Sequence, residues 1–163
     1  MTGSNRQVTL RRARPADTAE LAEIWYRGWC DGHLGHVSDQ LVAVRTPQSF
    51  QTRAADRIGD TTVAVVDGTV AGFVMVAGDE VEQVYVSTGH RGTGVADALM
   101  REAERLVRVN GHTRAWLAVV AGNARARRFY ERCGWLDDGA FEYSAYSEEG
   151  PISVPSHRYV KEI

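Results

Sequence analysis

The chain has almost no cysteine, almost no lysine and no long apolar run. Cys30 and Cys133 stand far apart and in no CxxC arrangement, which argues against a disulfide framework and a thiolate metal site. They read as two reduced packing thiols. Lys161 is the one lysine beside 18 arginines, and with abundant alanine and glycine this bias reads as the mark of a GC-rich genome rather than of a function. No apolar stretch approaches the roughly 20 residues of a membrane span. The amino terminus, MTGSNRQVTLRRARPADT, lacks the apolar segment of a signal peptide, so a cytoplasmic chain without membrane contact is expected. No repeat, low-complexity tract or linker divides the sequence, and one domain over residues 1–163 is expected.

What is present is an ordinary globular composition, 44% hydrophobic and 25% charged, with an uneven charge distribution. Residues 90–135 hold nine arginines against four acids, a net of +5, which leaves −7 on the remainder of a chain whose total is −2. The split suggests one anion-facing half, although many of these arginines also suit a solvated helix face. A nucleic-acid partner is not expected, because the total charge is negative and no groove-reading motif occurs.

The hydrophobic pattern predicts a strand over 8–13 and a helix opened by Pro15 and Asp17. Glu20, three residues after Asp17, completes a capping-box pattern. Leu21, Ile24, Trp25, Gly28 and Trp29 then follow helical spacing. A second helix is expected near 47–58, and two strands around Asp67-Gly68, a strong hairpin signal. A strand over 81–87 leads into the stretch HRGTGVADAL, and a helix follows from Gly94 to Asn110-Gly111. A strand over 114–121, a helix over 123–132 stopped by Gly134, and strands near 140–146 and 157–162 complete the pattern.

Two glycines at a helix start suggest a phosphate site, since unpaired N–H groups and the positive helix end attract anions. A P-loop is excluded, because GxxxxGK[ST] needs a lysine and none precedes Lys161. A dinucleotide fingerprint fails at its third glycine, where Asp97 stands. The remaining pattern, Arg91-x-x-Gly94-x-Ala96, resembles the R/Q-x-x-G-x-G/A pyrophosphate loop of the GNAT superfamily of acyl-CoA-dependent N-acyltransferases. EQVYV resembles that family's central strand, VVDGTVAGF its hairpin, GNARARRFYERCGW its late-helix signature, and LRRARPADTAELAEIW its opening strand and helix. These segments occur in family order over most of residues 8–136.

The resemblance implies a mixed α/β (α+β) fold with a central, mostly antiparallel sheet of six or seven strands and about four helices. It implies acetyl-CoA as co-substrate, no metal, and a small amine or peptide as acceptor; a homodimer is left open. The N–H groups of Gly92, Thr93, Gly94, Val95 and Ala96, with Arg91, would cradle the pyrophosphate. Arg125, Arg127 and Arg128 are candidates for the 3′-phosphate, and Asp97 is expected to point away. The backbone of Val84, Tyr85 and Val86 would accompany the pantetheine arm, with strand 114–121 splayed to admit it. Asn123 would hydrogen-bond the arm.

In such a reaction an amine attacks the thioester directly, with the oxyanion held by a backbone N–H, that of Val86. Tyr130, with a reference pKa of about 10, would protonate the departing thiolate. Glu82 is the expected base and Glu80 its rival; burial must raise either one for the task. His33 and His36 are too few for zinc and are placed in the acceptor pocket with Trp29 and Tyr143. Cys133 near a helix end does not read as a nucleophile. Asp137, Asp138, Glu142, Glu148 and Glu149 near the mouth, with Trp25 and Tyr146 as further aromatic walls, lead to the expectation of a small cationic amine. An α-amine is favoured over a lysine side chain, because more of it is neutral at pH 7. A catalytically inactive acyl-CoA sensor is the alternative, and intact Asn123 and Tyr130 argue against it.

Overall fold

The computed structural model describes residues 7–163, so residues 1–6 of the domain expected over 1–163 lie outside the described residues. Strand β1 (Thr9–Arg12) passes through a 3-10 turn into helix α1 (Thr18–His33). Helices α2 (Asp39–Val44) and α3 (Pro47–Asp56) follow, then strands β2 (Thr61–Val66), β3 (Thr69–Ala77) and β4 (Glu80–Val86). Helix α4 (Val95–Val109), strand β5 (Arg114–Val120), helix α5 (Ala124–Arg132) and strands β6 (Leu136–Ala145) and β7 (Ile152–Glu162) complete the chain. The seven strands form one sheet in the order β1-β2-β3-β4-β5-β7-β6, antiparallel except between β4 and β5. This is the mixed, mostly antiparallel architecture expected, with the short α2 as a helix beyond the four foreseen.

Local chemistry explains most element boundaries. Asp67 and Gly68 both adopt positive φ, 51° and 76°, and close the β2–β3 hairpin as an Asp-Gly pair does. Thr46 and Ser38 cap α3 and α2 through their side chains, and Pro47 occupies the first turn of α3. The entry to α1 differs from the expected capping box. Asp17 does not pair with Glu20; its carboxylate accepts from the Arg14 N–H at 2.7 Å and from the Arg11 guanidinium at 2.8 and 3.0 Å. That bidentate pair holds the Asp17 carboxyl below its ordinary range and ties α1 to β1. The last hairpin is longer than the sequence pattern suggested, because β6 alternates only weakly and begins at exposed Leu136.

Two apolar layers sandwich the sheet. On one face Leu21, Trp25 and Trp29 of α1 pack with Phe50 of α3 against Phe73 and Met75 of β3. On the other, Val95, Leu99, Met100, Ala103 and Val107 of α4 cover Val74, Val76 and Val81. At roughly 1.5–3 kcal/mol for each fully buried large side chain, these layers supply most of the drive to fold.

Two irregularities position the site. Met75 pairs with Gln83 but Val76 pairs with Val81, so β4 carries one extra residue, Glu82, in a bulge. The bulge reverses the alternation: Val81 joins Val84 and Val86 on the α4 face, which leaves Glu80 with Tyr85 on the α1–α3 face. Strands β4 and β5 then meet only at Glu80 and Trp116. Beyond that pair, among the described residues, the β4 edge has no ladder partner.

Candidate active site

The loop between β4 and α4 is built for an anion. Gly92 and Gly94 have φ of 75° and 86°, values open to glycine and costly for other residues. Gly94 is the N-cap of α4, and no side chain caps it, so the first N–H groups of that helix stay free. Val95 is fully buried beneath them and anchors the turn, and the exposed Thr93 hydroxyl donates to the His90 carbonyl. Arg91 reaches across to Asp31 of α1 at 2.8 Å. From this loop a groove of about 510 Å³ runs along Val84–Val86 to α5, with Arg125 and Arg132 in its wall. Asp97 also lines the groove, its carboxylate facing the Cys133 thiol.

A second cavity, of about 300 Å³, lies on the α1–α3 side of the same strands. The two share Gly28, Val84, Tyr85, Asn123, Ala126 and Tyr130, so they meet in the gap between β4 and β5. The absence of a side chain at Gly28 keeps that junction open: a Cβ there would lie 2.3 Å from the Tyr85 ring. Asn123 caps α5 through its Oδ1, which accepts from the Ala126 N–H at 3.2 Å, while its Nδ2 lies against Gly32. Tyr130 packs at 5.5 Å from Phe129, and its hydroxyl has no protein hydrogen-bond partner among the described residues. Burial pushes Tyr130 up to about 12, so it keeps its proton at neutral pH.

The second cavity holds paired carboxylates with different partners. Glu82 accepts an ion pair from Arg57 at 2.6 Å. Glu80 accepts a hydrogen bond from the Tyr143 hydroxyl at 3.1 Å. Burial, reinforced by the neighbouring Glu82 charge, pushes Glu80 up to about 7. His33 stacks on Trp29 at 4.8 Å, and its Nδ1 lies 3.0 Å from the Trp29 carbonyl. Burial pulls His33 down to about 4, so the ring is neutral, with Nδ1–H donating to that carbonyl.

The structure brings Trp29, His33, Glu80, Glu82, Tyr130 and Tyr143 to the same cavity wall. Four expectations change. Arg127 turns away from the groove: its guanidinium donates to the Ala121 carbonyl, the Tyr159 hydroxyl and Asp137. His36 packs its ring against Gly122, where a Cβ would lie 2.1 Å from Nδ1, and does not line the cavity. Nor is there an acidic mouth. Asp137 is engaged by Arg127 and His157, and Asp138, Glu142, Glu148 and Glu149 do not line the cavity, whereas Arg45, Arg53 and Arg57 do. Trp25 is core, beneath Arg53, while Tyr146 does reach the wall. The arginines escaped sequence reading because charged residues on a helix read as its solvated face. Their signal was spacing: Arg53 and Arg57 lie three and seven residues after the core Phe50, on the same helical face.

Comparison with known proteins agrees with this geometry. An uncharacterized N-acetyltransferase of Mycobacterium tuberculosis is 33% identical over 113 residues, covering 63% of this chain and 72% of the relative. A GCN5-related N-acetyltransferase structure from Rhodopseudomonas palustris superposes over 100% of this chain and 99% of its own, with a TM-score of 0.73 at 20% identity. A Salmonella typhimurium acetyltransferase structure with its cofactor acetyl-CoA matches 96% of this chain and 94% of its own, at TM-score 0.68 and 19% identity. Residues 20–135, from α1 to the turn after α5, match the profile of the acetyltransferase (GNAT) family, and to that family the chain belongs.

Proposed function

We propose that the protein transfers an acetyl group from acetyl-CoA to the primary amine of a small molecule or peptide, by direct attack of the amine on the thioester. The observation that carries this reading is the junction of two cavities at Tyr130, Tyr85 and Asn123. A long groove ending in a glycine turn suits the donor, and the compact, titratable cavity suits the acceptor. The acetyl-CoA of the Salmonella typhimurium neighbour supports the donor's identity.

The chain fits that donor. The free N–H groups at Gly92–Ala96 suit its pyrophosphate, and the unpaired β4 edge over Val84–Val86 suits the amides of its pantetheine arm. Arg125 and Arg132, rather than Arg127, supply positive charge along the groove. The donor contributes an activated acyl carbon; the protein orients it and moves protons.

Glu80 takes the proton from the incoming ammonium, directly or through a water, and frees its lone pair. Its value of about 7 supports this role over Glu82, whose charge is held by Arg57. The carbon–nitrogen bond forms and the carbon–sulfur bond breaks; negative charge passes to sulfur, and the nitrogen releases its second proton to water as the neutral amide forms. Tyr130, protonated and unpartnered at the junction, donates its proton to the thiolate. A thiol-release assay with acetyl-CoA and a panel of primary amines tests the reading. Release with at least one amine is expected; no release with any, and no thermal shift with acetyl-CoA, would overturn it.

A further inference from the structure

The acceptor cavity contains two guanidiniums without a counter-charge. Arg45, at the end of α2, is 7% exposed. Arg53, on α3, lies over the Trp25 ring at 4.3 Å and near Phe50 at 5.2 Å. Its Nη1 is shielded from solvent and has no hydrogen-bond partner. Among the described residues, no carboxylate comes within ion-pair distance of either side chain. The cavity's own acids are committed elsewhere, Glu82 to Arg57 at 2.6 Å and Glu80 to Tyr143 at 3.1 Å.

The other groups facing this pair do not neutralise it. His33 is uncharged, and the Tyr85 and Tyr143 hydroxyls are held in their protonated forms by burial. Arg57 adds a third cation to the wall. Burial and mutual repulsion pull Arg53 down to about 10, and burial lowers Arg45 as well. Two like charges on one cavity wall, Arg45 buried and Arg53 half-buried, weaken the fold, and an anion bound at both recovers that cost. A guanidinium fork matches the planar carboxylate in particular.

We infer that the acceptor carries a carboxylate on the same small molecule as its amine, with the carboxylate at Arg45 and Arg53 and the amine toward Glu80 and Tyr130. This rests on the acetyl transfer proposed above and names its acceptor class: amino acids rather than polyamines or other purely cationic amines. The cavity, about 300 Å³, is at the small end of ligand sites and fits a molecule of that size. The same wall of guanidiniums repels a second positive charge, which reverses the expectation drawn from the acidic remainder of the sequence.

The test measures thiol release from acetyl-CoA with matched sets: L-amino acids, their amides, and their decarboxylated amines. The acids should be used with kcat/KM about 10–100-fold above their neutral counterparts, the usual worth of hydrogen bonds to a charged group. Arg45→Met and Arg53→Met keep the buried stems and remove the charge, so each should shrink that ratio. The ratio is taken within one preparation and does not depend on how much of a variant folds. Equal or better use of amides or amines by the unmutated chain would overturn the inference and leave the transfer reading intact. A ratio unchanged in both Met variants would overturn it too. Release with no member of the sets would also overturn it and, if acetyl-CoA leaves the melting temperature unchanged, the proposed function with it.

Discussion

The Tyr143 hydroxyl donates to Glu80 Oε2 at 3.1 Å, joining the edge strand β6 to the central strand β4 across the second cavity. The bond links two segments 63 residues apart and sets the behaviour of the acid. Tyr143 stabilises the carboxylate form of Glu80, against burial and against Glu82.

Acetyl transfer should therefore rise with pH through about 7, as Glu80 ionises. Tyr143→Phe removes a bond that favours ionisation, so the midpoint should move to higher pH. Glu80→Gln should abolish that limb. A pH–rate profile of Tyr143→Phe that superimposes on the unmutated one would separate Tyr143 from the proton acceptor.

The same shift has a stability side. Glu80 titrates near 7 in the folded chain against 4.5 for its ordinary value, so between these limits the folded state binds more protons than the unfolded state. Stability contributed through this group falls as pH rises over that window, and the loss is complete above it. Glu80→Gln carries no such loss. Its melting temperature relative to the unmutated protein should be more favourable at pH 8 than at pH 5. The same difference at both pH values would show that Glu80 is not desolvated.

Tyr130→Phe keeps the ring against Phe129 and Tyr159 and breaks no hydrogen bond of the protein. Stability should change by no more than about 0.5 kcal/mol. The rate of the chemical step should fall by about 10²–10⁴-fold. Single-turnover kinetics that match the unmutated enzyme would assign Tyr130 to packing alone.

Acetyl-CoA at 100 times its dissociation constant should raise stability by about 2.7 kcal/mol, visible as a thermal shift. At Gly94 an added side chain meets nothing within 4 Å, and the cost there is the left-handed φ of 86°. Aspartate tolerates that region better than most residues, at about 1–2 kcal/mol. Gly94→Asp should thus fold, while its charge at the head of α4 removes the acetyl-CoA shift. A normal shift in this variant would place the pyrophosphate elsewhere.

The glycine turn and the start of α5 were far more legible in the sequence than the second cavity. Gly92, Gly94 and Asn123 sit in short, contiguous segments whose turn chemistry can be read locally, and the hairpin at Asp67-Gly68 is of the same kind. The second cavity gathers Arg45, Arg53, Glu80 and Tyr143 from the end of α2 and from α3, β4 and β6. No local spacing announces such a meeting. Arg127 shows the opposite failure: it lies within the late-helix segment that resembles the family signature, yet the helix turns it toward β6 and β7. Sequence alone does not separate Glu80 from Glu82, because a regular strand places both on one face. The difference comes from Arg57, which reaches Glu82 from the end of α3.

The extra residue in β4 gives that strand a dependence on number as well as on identity. Were the bulge at Glu82 matched by one inserted residue opposite it in β3, strict alternation would return and Glu80 would turn toward α4, among valines. Every group around the cavity would still be encoded, and the proposed proton acceptor would be gone from it. Among relatives of this chain, an intact set of aligned acids is therefore a poor guide to chemistry unless the residues of both paired strands, β3 and β4, are counted too.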